Sequence, residues 1–228
     1  MLDAHCHYFP ASDDDILVLY NSVTPDDWAK IPLQNNIIPF YGIHPWYADN
    51  KKYDVSELER FISSMDKKNG RFGLGETGID RAGHDPPEDS QVEFFRKHLE
   101  LAERFGLPVS VHCVRAWGIL NEILQDVNPD IPILMHYYSG SWETARSLLR
   151  RNTWFSFQLE ALDAGSKSAE IFRKIPVDRL FLETDSMVSV SDRLKNLYTM
   201  AAGEKGTSAG VLETIIKNNL ETFFQFFI

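Results

Sequence analysis

Apolar residues form eight short runs along the chain, separated by segments with the periodicity of amphipathic helices. The runs lie in MLDAHCHY, DILVLYNS, NIIPFYGI, RFGLGE, PVSVHCV, PILMHYY, TWFSFQL and RLFLETD. Many are nearly continuous in apolar residues, which is typical of strands covered on both faces. Strands that alternate with helices predict βα units and a parallel sheet. A chain of 228 residues has the length of one TIM-type (β/α)8 barrel, so we expect a single domain over residues 1–228.

The helix boundaries follow from caps and from the spacing of apolar side chains. Asp54 and Glu57 form a capping-box pattern ahead of one helical face. Gly106 and Pro108 end a second helix. Ser141 can cap a third helix, a fourth covers 194–201, and a last one follows Thr207. We expect its terminal aromatic residues to pack in the core or at the bottom of the barrel; they are Phe223, Phe224, Phe226 and Phe227.

The first βα unit breaks this pattern. The segment YFPASDD, between the first two strands, contains Pro10 and runs into three consecutive aspartates at 13–15. It is too short for a crossover helix, which needs a dozen or more residues in all. The sequence therefore predicts a barrel whose first unit is trimmed.

Histidine and carboxylate side chains stand at or near the ends of five predicted strands. They are His5, His7, Glu76, His112, His136 and Asp185. In a parallel barrel the carboxyl ends of all strands open onto one rim, so these side chains can converge there. Imidazole and carboxylate together suit zinc, manganese or iron, and magnesium where carboxylates dominate. The pattern predicts a metal site at the rim.

Asp3 and Glu183 each lie two residues before a candidate ligand and therefore on the same face of a strand. Either could orient a ligand imidazole or a water from behind. For Asp3, a solvated carboxylate at a strand edge is the alternative. Glu183 lies in an apolar run and needs a partner, so we expect a structural or supporting role.

The composition narrows the class of protein. A formal net charge of −10 argues against a protein that coats nucleic acid by electrostatics alone. It leaves a nuclease possible, because bound divalent cations would supply the largest local charges. Cys6 and Cys113 lie inside predicted strands, which favours two buried, reduced thiols and a cytoplasmic location. The sequence contains neither a signal-peptide pattern nor an apolar run long enough for a membrane span.

The ordered motifs DAHCH, GIHPWYA, GETGID, QVEFFRKHLELAERFGLPVSVHCVRAW, HYYSGSWETARSLL, IPVDRLFLETDS and KNNLETFF extend over nearly the whole chain. In this set the sequence resembles the TatD family of metal-dependent hydrolases, within the amidohydrolase superfamily. The resemblance implies two divalent metal ions per chain: zinc, magnesium or manganese. It implies that His5, His7, Glu76 and Asp185 hold one ion. Glu76 would bridge to a second ion, held also by His112 and His136.

The departures from the family pattern lie on the substrate side. Val114 stands where the family carries arginine, with Arg115 shifted by one position, and Arg81 replaces an aromatic residue. The segment SMVSVSDRLKN replaces a proline-containing loop. The resemblance places His44 near the substrate, although a rim histidine that bonds a loop is equally compatible. Arg81 is a candidate phosphate contact or a solvated surface residue. Trp46, Tyr47, Tyr137 and Tyr138 could stack bases or pack in loops.

We therefore expect a hydrolase that uses metal-activated water, with Asp185 and Glu76 as catalytic residues and Asp185 as general base. The expected activity is that of a TatD-type phosphodiesterase or deoxyribonuclease acting on DNA ends or single strands. The alternative is a hydrolase of the same fold acting on a small ester, amide, lactone or phosphoester. A third possibility is a catalytically silent metal-binding protein. No protein partner is implied, and we expect a monomer.

Overall fold

The computed structural model describes residues 1–65, 70–82 and 86–225. Eight parallel strands pair in sequence order. The strands are β1 (Leu2–Cys6), β2 (Leu17–Asn21), β3 (Ile37–Tyr41), β4 (Gly73–Asp80), β5 (Val109–Val114), β6 (Ile133–Met135), β7 (Thr153–Phe157) and β8 (Leu180–Leu182). Just past β8, the Asp185 N–H donates to the His5 carbonyl at 2.9 Å and closes the circle. The predicted (β/α)8 barrel is confirmed.

The connections carry eight α-helices in the described part of the chain. They are α1 (Pro25–Trp28), α2 (Val55–Ser64), α3 (Glu88–Phe105), α4 (Trp117–Val127), α5 (Trp142–Leu148), α6 (Lys167–Lys174), α7 (Ser191–Glu204) and α8 (Ala209–Phe223). No helix joins β1 to β2, so the trimmed first unit is confirmed. The second unit is short as well, because α1 is a single turn.

The predicted caps begin or end their helices, although among the described residues Asp54 caps α2 without the reciprocal Glu57 bond of a capping box. The Asp54 carboxylate accepts from the Ser56 N–H at 2.9 Å and begins α2. Gly106 ends α3 in a left-handed conformation, with φ 63°, which favours glycine because it has no Cβ. Ser141 begins α5, and Ser208, next to Thr207, begins α8. No helix in the described ranges is long and apolar enough to cross a membrane.

The bottom of the barrel is closed by the end of α8. The ring of Phe223 lies 5.2 Å from Trp154, 5.7 Å from Phe181 and 6.5 Å from Phe40, measured between centroids. These partners belong to β7, β8 and β3, and Phe223 and Phe224 are buried. The expected packing is confirmed for these two residues, whereas Phe226 and Phe227 lie outside the described residues. Helix α8 therefore closes the end of the barrel opposite the rim formed by the carboxyl ends of the strands.

Both cysteines are buried and free, as expected. Burial raises the pKa of the Cys113 thiol to about 12 and also raises that of Cys6. A thiol that stays protonated is a poor nucleophile and a poor ligand. We therefore assign both residues to packing.

Candidate metal centre

The strand ends bring all six predicted ligands to one rim. His5 lies within β1, with His7 directly beyond that strand, and His136 directly follows β6. Asp185 lies three residues past β8. The prediction that β4 ends at Glu76 is wrong. After a register shift, β4 continues as Thr77–Asp80 beside β5, which itself runs past His112 to Val114. Glu76 and His112 thus lie inside strands, as His5 does, rather than at strand ends.

Glu76 stands at the centre of the site, with its side chain almost fully buried. Nitrogen atoms of five imidazoles lie within 3.6 Å of its carboxylate. The distances are 2.6 Å to His112 Nδ1, 2.8 Å to His136 Nε2, 3.3 Å to His5 Nε2, 3.5 Å to His44 Nε2 and 3.6 Å to His7 Nε2. Three rings face Oε1 and two face Oε2. One carboxylate therefore joins two groups of histidines.

Asp185 borders this cluster on the solvent side. Its Oδ1 lies 3.4 Å from His7 Nε2 and 3.8 Å from His5 Nε2. The Gln158 side-chain amide donates to its Oδ2 at 3.3 Å. The backbone of Asp185 has φ 48°, a left-handed conformation that is uncommon for a residue with a side chain. Its side chain is 29% exposed, so this carboxylate can reach a molecule from solution.

The other nitrogen of each candidate ligand histidine lies near an outer polar group. His7 Nδ1 donates to the Asn21 carbonyl at 2.8 Å, and His112 Nε2 donates to Asp80 Oδ2 at 3.1 Å. His5 Nδ1 lies 3.3 Å from Ser110 Oγ, and His136 Nδ1 lies 3.5 Å from Glu183 Oε1. Such partners orient an imidazole and leave its inner nitrogen free for a cation.

The electrostatics keep both carboxylates ionised. Burial acts to raise the pKa of Glu76, but the surrounding imidazoles, led by His136, hold it well below its usual range. Burial is likewise outweighed at Asp185, whose pKa is lowered by the His7 hydrogen bond and by His5. Burial and the neighbouring His136 lower the pKa of His5. At His7, His112 and His136 burial is outweighed by the neighbouring carboxylates, which raise the pKa.

His44 differs from the other histidines in the atom it presents. Its Nδ1 accepts from the Trp46 backbone N–H at 3.3 Å. Burial lowers the pKa of His44, which favours the neutral ring. With Nδ1 acting as acceptor, the proton of a neutral ring must be on Nε2. His44 therefore presents an N–H donor to the centre, whereas a metal ligand would present a lone pair.

The residues present fit a divalent cation. His5 Nε2 is buried and has no hydrogen-bond partner among the described residues. The ligand atoms of His5, His7 and Glu76 all lie within 4.8 Å of one another. The donors are nitrogen and oxygen, which suit zinc or manganese.

Asp3 and Glu183 are both fully buried. Asp3 accepts from the Thr184 N–H at 2.9 Å and the Thr184 hydroxyl at 2.6 Å, and burial raises the pKa of Asp3 to about 7. The alternative of a solvated strand-edge carboxylate is wrong. Asp3 instead holds the backbone next to Asp185. Glu183 accepts from the Ser156 hydroxyl and faces His136, which agrees with a structural or supporting role.

The exposed position of Arg81 agrees with the alternative of a surface residue, and three further polar residues near the centre were not predicted from the sequence. Arg81 is exposed and paired with Glu88, away from the cavity wall. Asp80, Gln158 and Ser110 were not singled out. Asp80 lies four residues after Glu76 and so on the same strand face, and Gln158 directly follows β7. The rule that selected the ligands, a polar residue ending an apolar run, would have found Gln158.

A cavity of about 570 Å³ opens over the cluster. Its walls include His7, Val23, His44, Trp46, Glu76, His112, Cys113, Val114, His136, Tyr137, Ser139, Asp185 and Met187. No lysine or arginine is among the wall residues in the part of the chain that the structure describes. The candidate metal centre thus forms the floor of a largely apolar cavity.

The family model described as "TatD related DNase" matches residues 16–225. The chain belongs to this family of metal-dependent hydrolases. It is 33% identical over 147 residues to "Uncharacterized metal-dependent hydrolase YabD" of Bacillus subtilis, across 63% of this chain and 56% of that protein. The match therefore spans little more than half of that relative's length.

Two further comparisons extend this likeness. The human protein "3'-5' RNA nuclease TATDN2" is 27% identical over 164 residues, across 70% of this chain and 21% of that protein. The crystal structure of the TatD homologue YjjV from Escherichia coli K12 superposes with a TM-score of 0.85. It covers 99% of this chain and 98% of that chain at 21% identity, a likeness that establishes the fold.

Proposed function

We propose that this chain is a metal-dependent phosphodiesterase of the deoxyribonuclease type, acting on DNA ends or single strands. The observation that carries the proposal is Glu76, a buried carboxylate surrounded by five imidazoles on the floor of an open cavity. The description of the family as DNase and the nuclease name of a human relative support the same chemistry.

The proposed centre holds two divalent ions. His5, His7, Glu76 and Asp185 would hold the first, and Glu76, His112 and His136 the second. When bound, such ions supply Lewis acidity and lower the pKa of water towards neutrality. The division follows the family resemblance, and it agrees with the two oxygens of Glu76 facing different histidines.

Asp185 is the proposed general base. Its carboxylate borders the cavity and stays ionised, so it can accept a proton from the attacking water. Gln158 occupies Oδ2 and thereby orients Oδ1 towards the histidines. His44 presents its Nε2–H to the same space and can donate to a phosphoryl or leaving oxygen, where developing negative charge strengthens the bond.

A small-ester hydrolase is the second candidate. The absence of cationic residues from the described cavity wall favours it, because proteins that follow a nucleic-acid backbone combine stacking with positive charge. This alternative uses the same centre and the same Asp185, and differs in the substrate, which would be a small ester, amide, lactone or phosphoester.

The test is hydrolysis of a labelled single-stranded oligonucleotide beside bis(p-nitrophenyl) phosphate, with added zinc, manganese or magnesium. We expect both to be cleaved, and both activities to be lost in His5→Ala and on chelation. Circular dichroism and thermal denaturation of His5→Ala check that the barrel is retained. Cleavage of the small ester alone would favour the second candidate. Failure of the metal-loaded protein to hydrolyse either compound would refute the proposed function.

A further inference from the structure

Exposed apolar side chains concentrate at the rim above the centre. Of the eight large apolar side chains that are exposed in the described ranges, five lie on loops that follow barrel strands. These five are Phe9, Trp46, Tyr137, Met187 and Val188. Three of them, Trp46, Tyr137 and Met187, line the cavity. Contiguous apolar surface on a soluble protein commonly marks a binding site.

Trp46 is oriented by its neighbours, including an edge contact with His44 at 4.5 Å between ring centroids, and the residue is still partly exposed. Its indole Nε1–H donates to Asp80 Oδ2 at 2.7 Å, and the same oxygen accepts from His112 Nε2 at 3.1 Å. The second oxygen of Asp80 accepts from the Ala82 N–H at 2.7 Å. Although these bonds set its orientation, Trp46 is 42% exposed. Asp80 thus connects the aromatic wall directly to a candidate metal ligand.

Tyr137 provides a second aromatic side chain on the cavity wall. Its backbone has φ 44°, and the residues on either side are bonded to neighbouring strands. The His136 N–H donates to the Val111 carbonyl at 3.2 Å, and the Tyr138 N–H donates to the Ser156 carbonyl at 3.0 Å. With both neighbours held, Tyr137 must turn sharply, and its side chain is left 43% exposed. Such strain at a non-glycine residue is common at binding sites.

The arginines of the described rim loops are not placed to bind a phosphate from the cavity wall. Arg81 pairs with Glu88, and Arg193 lies 2.6 Å from Glu160. Arg115 is exposed, directly after Val114, but it is not one of the wall residues. Beyond the centre, the cavity therefore offers a substrate mainly flat apolar surface.

We propose that Trp46 is a stacking platform for a nucleobase of the substrate, next to the scissile phosphodiester, and that Asp80 is its positioning residue. The ligand class is a nucleotide unit at the end of a strand, recognised by its planar ring rather than by flanking phosphates. This inference rests on the proposed function, because it assumes that a phosphate lies over the centre. A cavity of about 570 Å³ is within the range of small-molecule sites.

The test compares the affinities of 2'-deoxyadenosine 5'-monophosphate and 2-deoxyribose 5-phosphate, which differ at C1, where the nucleotide carries adenine and the sugar phosphate a hydroxyl group. Titration calorimetry on the metal-loaded protein gives both dissociation constants without catalysis. Stacking of one base predicts that the nucleotide binds about 5- to 150-fold more tightly. Trp46→Leu should abolish this preference and leave the affinity for the sugar phosphate unchanged. Trp46→Phe, which keeps a ring, should retain part of it.

Phe9→Leu is the matched control, because Phe9 is 40% exposed on the same rim but does not line the cavity. It should keep the full preference. Equal affinities for the two phosphates in the unchanged protein, or a full preference in Trp46→Leu, would overturn the inference. Hydrolysis of bis(p-nitrophenyl) phosphate separates the two proposals. Hydrolysis without a base preference refutes the platform alone, whereas a base preference without any hydrolysis refutes the proposed function.

Discussion

Nδ1 of His112 lies 2.6 Å from Oε1 of Glu76. The two residues are 36 positions apart in the chain and belong to the neighbouring strands β4 and β5. After the register shift in β4, Gly78 pairs with His112. Glu76 lies two residues before Gly78 and therefore on the same face of the strand, from which its carboxylate reaches the imidazole. The contact thus follows from strand register, and it places an ionised carboxylate where two groups of histidines can share it.

Replacing Asp185 with asparagine tests the general base. Asn keeps the shape but accepts a proton poorly, so kcat on bis(p-nitrophenyl) phosphate should fall about 10²- to 10⁴-fold. The melting temperature should change little. Bound metal, measured by mass spectrometry, separates loss of the base from loss of the ion. Asp192→Asn, at a carboxylate 98% exposed on α7, is the control. Full turnover in Asp185→Asn would exclude this residue as the base.

Replacing Glu183 with glutamine tests the support behind His136. Glu183 faces Nδ1 of His136 and accepts from Ser156, so its charge favours the ring orientation that directs Nε2 inwards. Loss of that charge should weaken zinc or manganese affinity about 10- to 100-fold. Competition with a chromogenic chelator measures this change. Glu143→Gln, on exposed α5, should leave the affinity unchanged. Equal affinities in both variants would assign Glu183 to packing alone.

The buried His98 should make the free energy of unfolding depend on pH in the acidic range. Burial lowers the pKa of His98 from 6.5 to about 4. The unfolded chain therefore takes up this proton near pH 6.5, and the folded protein only near pH 4. Because the unfolded state binds more protons between these values, the free energy of unfolding falls as the pH decreases through this window. The full loss is on the order of 3 kcal/mol.

Urea denaturation of the protein and of His98→Gln at several pH values measures this contribution. The Nδ1 of His98 bonds the Phe94 carbonyl at 2.9 Å, and the amide of glutamine can replace that donor without titrating. The variant should lose less stability than the unchanged protein between pH 6.5 and pH 4. Identical pH dependence of the two proteins would contradict the assignment.

Close packing of Gly42 against Gly75 should exclude a larger residue at this position beneath the centre. A Cβ at this position would lie 2.5 Å from the carbonyl carbon of Gly75, the residue before Glu76. Backbone there cannot yield locally, so Gly42→Ala should lower the free energy of unfolding by about 2 kcal/mol. At Gly118, in α4, a Cβ meets no atom within 4 Å among the described residues. Gly118→Ala should be neutral or stabilise by up to about 1 kcal/mol. Denaturant unfolding of both variants decides; equal effects would refute the steric argument.

Local patterns along the chain were enough to predict the fold and the strands that carry the candidate ligands. Near-continuous apolar runs and helical periodicity depend only on local spacing. Ligands such as His136 and Asp185 follow strands, and in a parallel barrel the carboxyl ends of all strands lie at the same rim. The missing crossover after β1 was predictable for the same reason, since ten residues or fewer cannot form the usual unit.

The outer group next to each histidine and the residues that line the cavity could not be predicted from the sequence. The extension of β4 to Asp80 depends on its register with β5, and that extension brings Asp80 between Trp46 and His112. The tautomer of His44 depends on the backbone of a loop. Arg81 pairs with Glu88, a partner provided by α3. These relationships join strands and loops through space, and the hydrophobic pattern of a chain carries no information about side-chain contacts between separate elements.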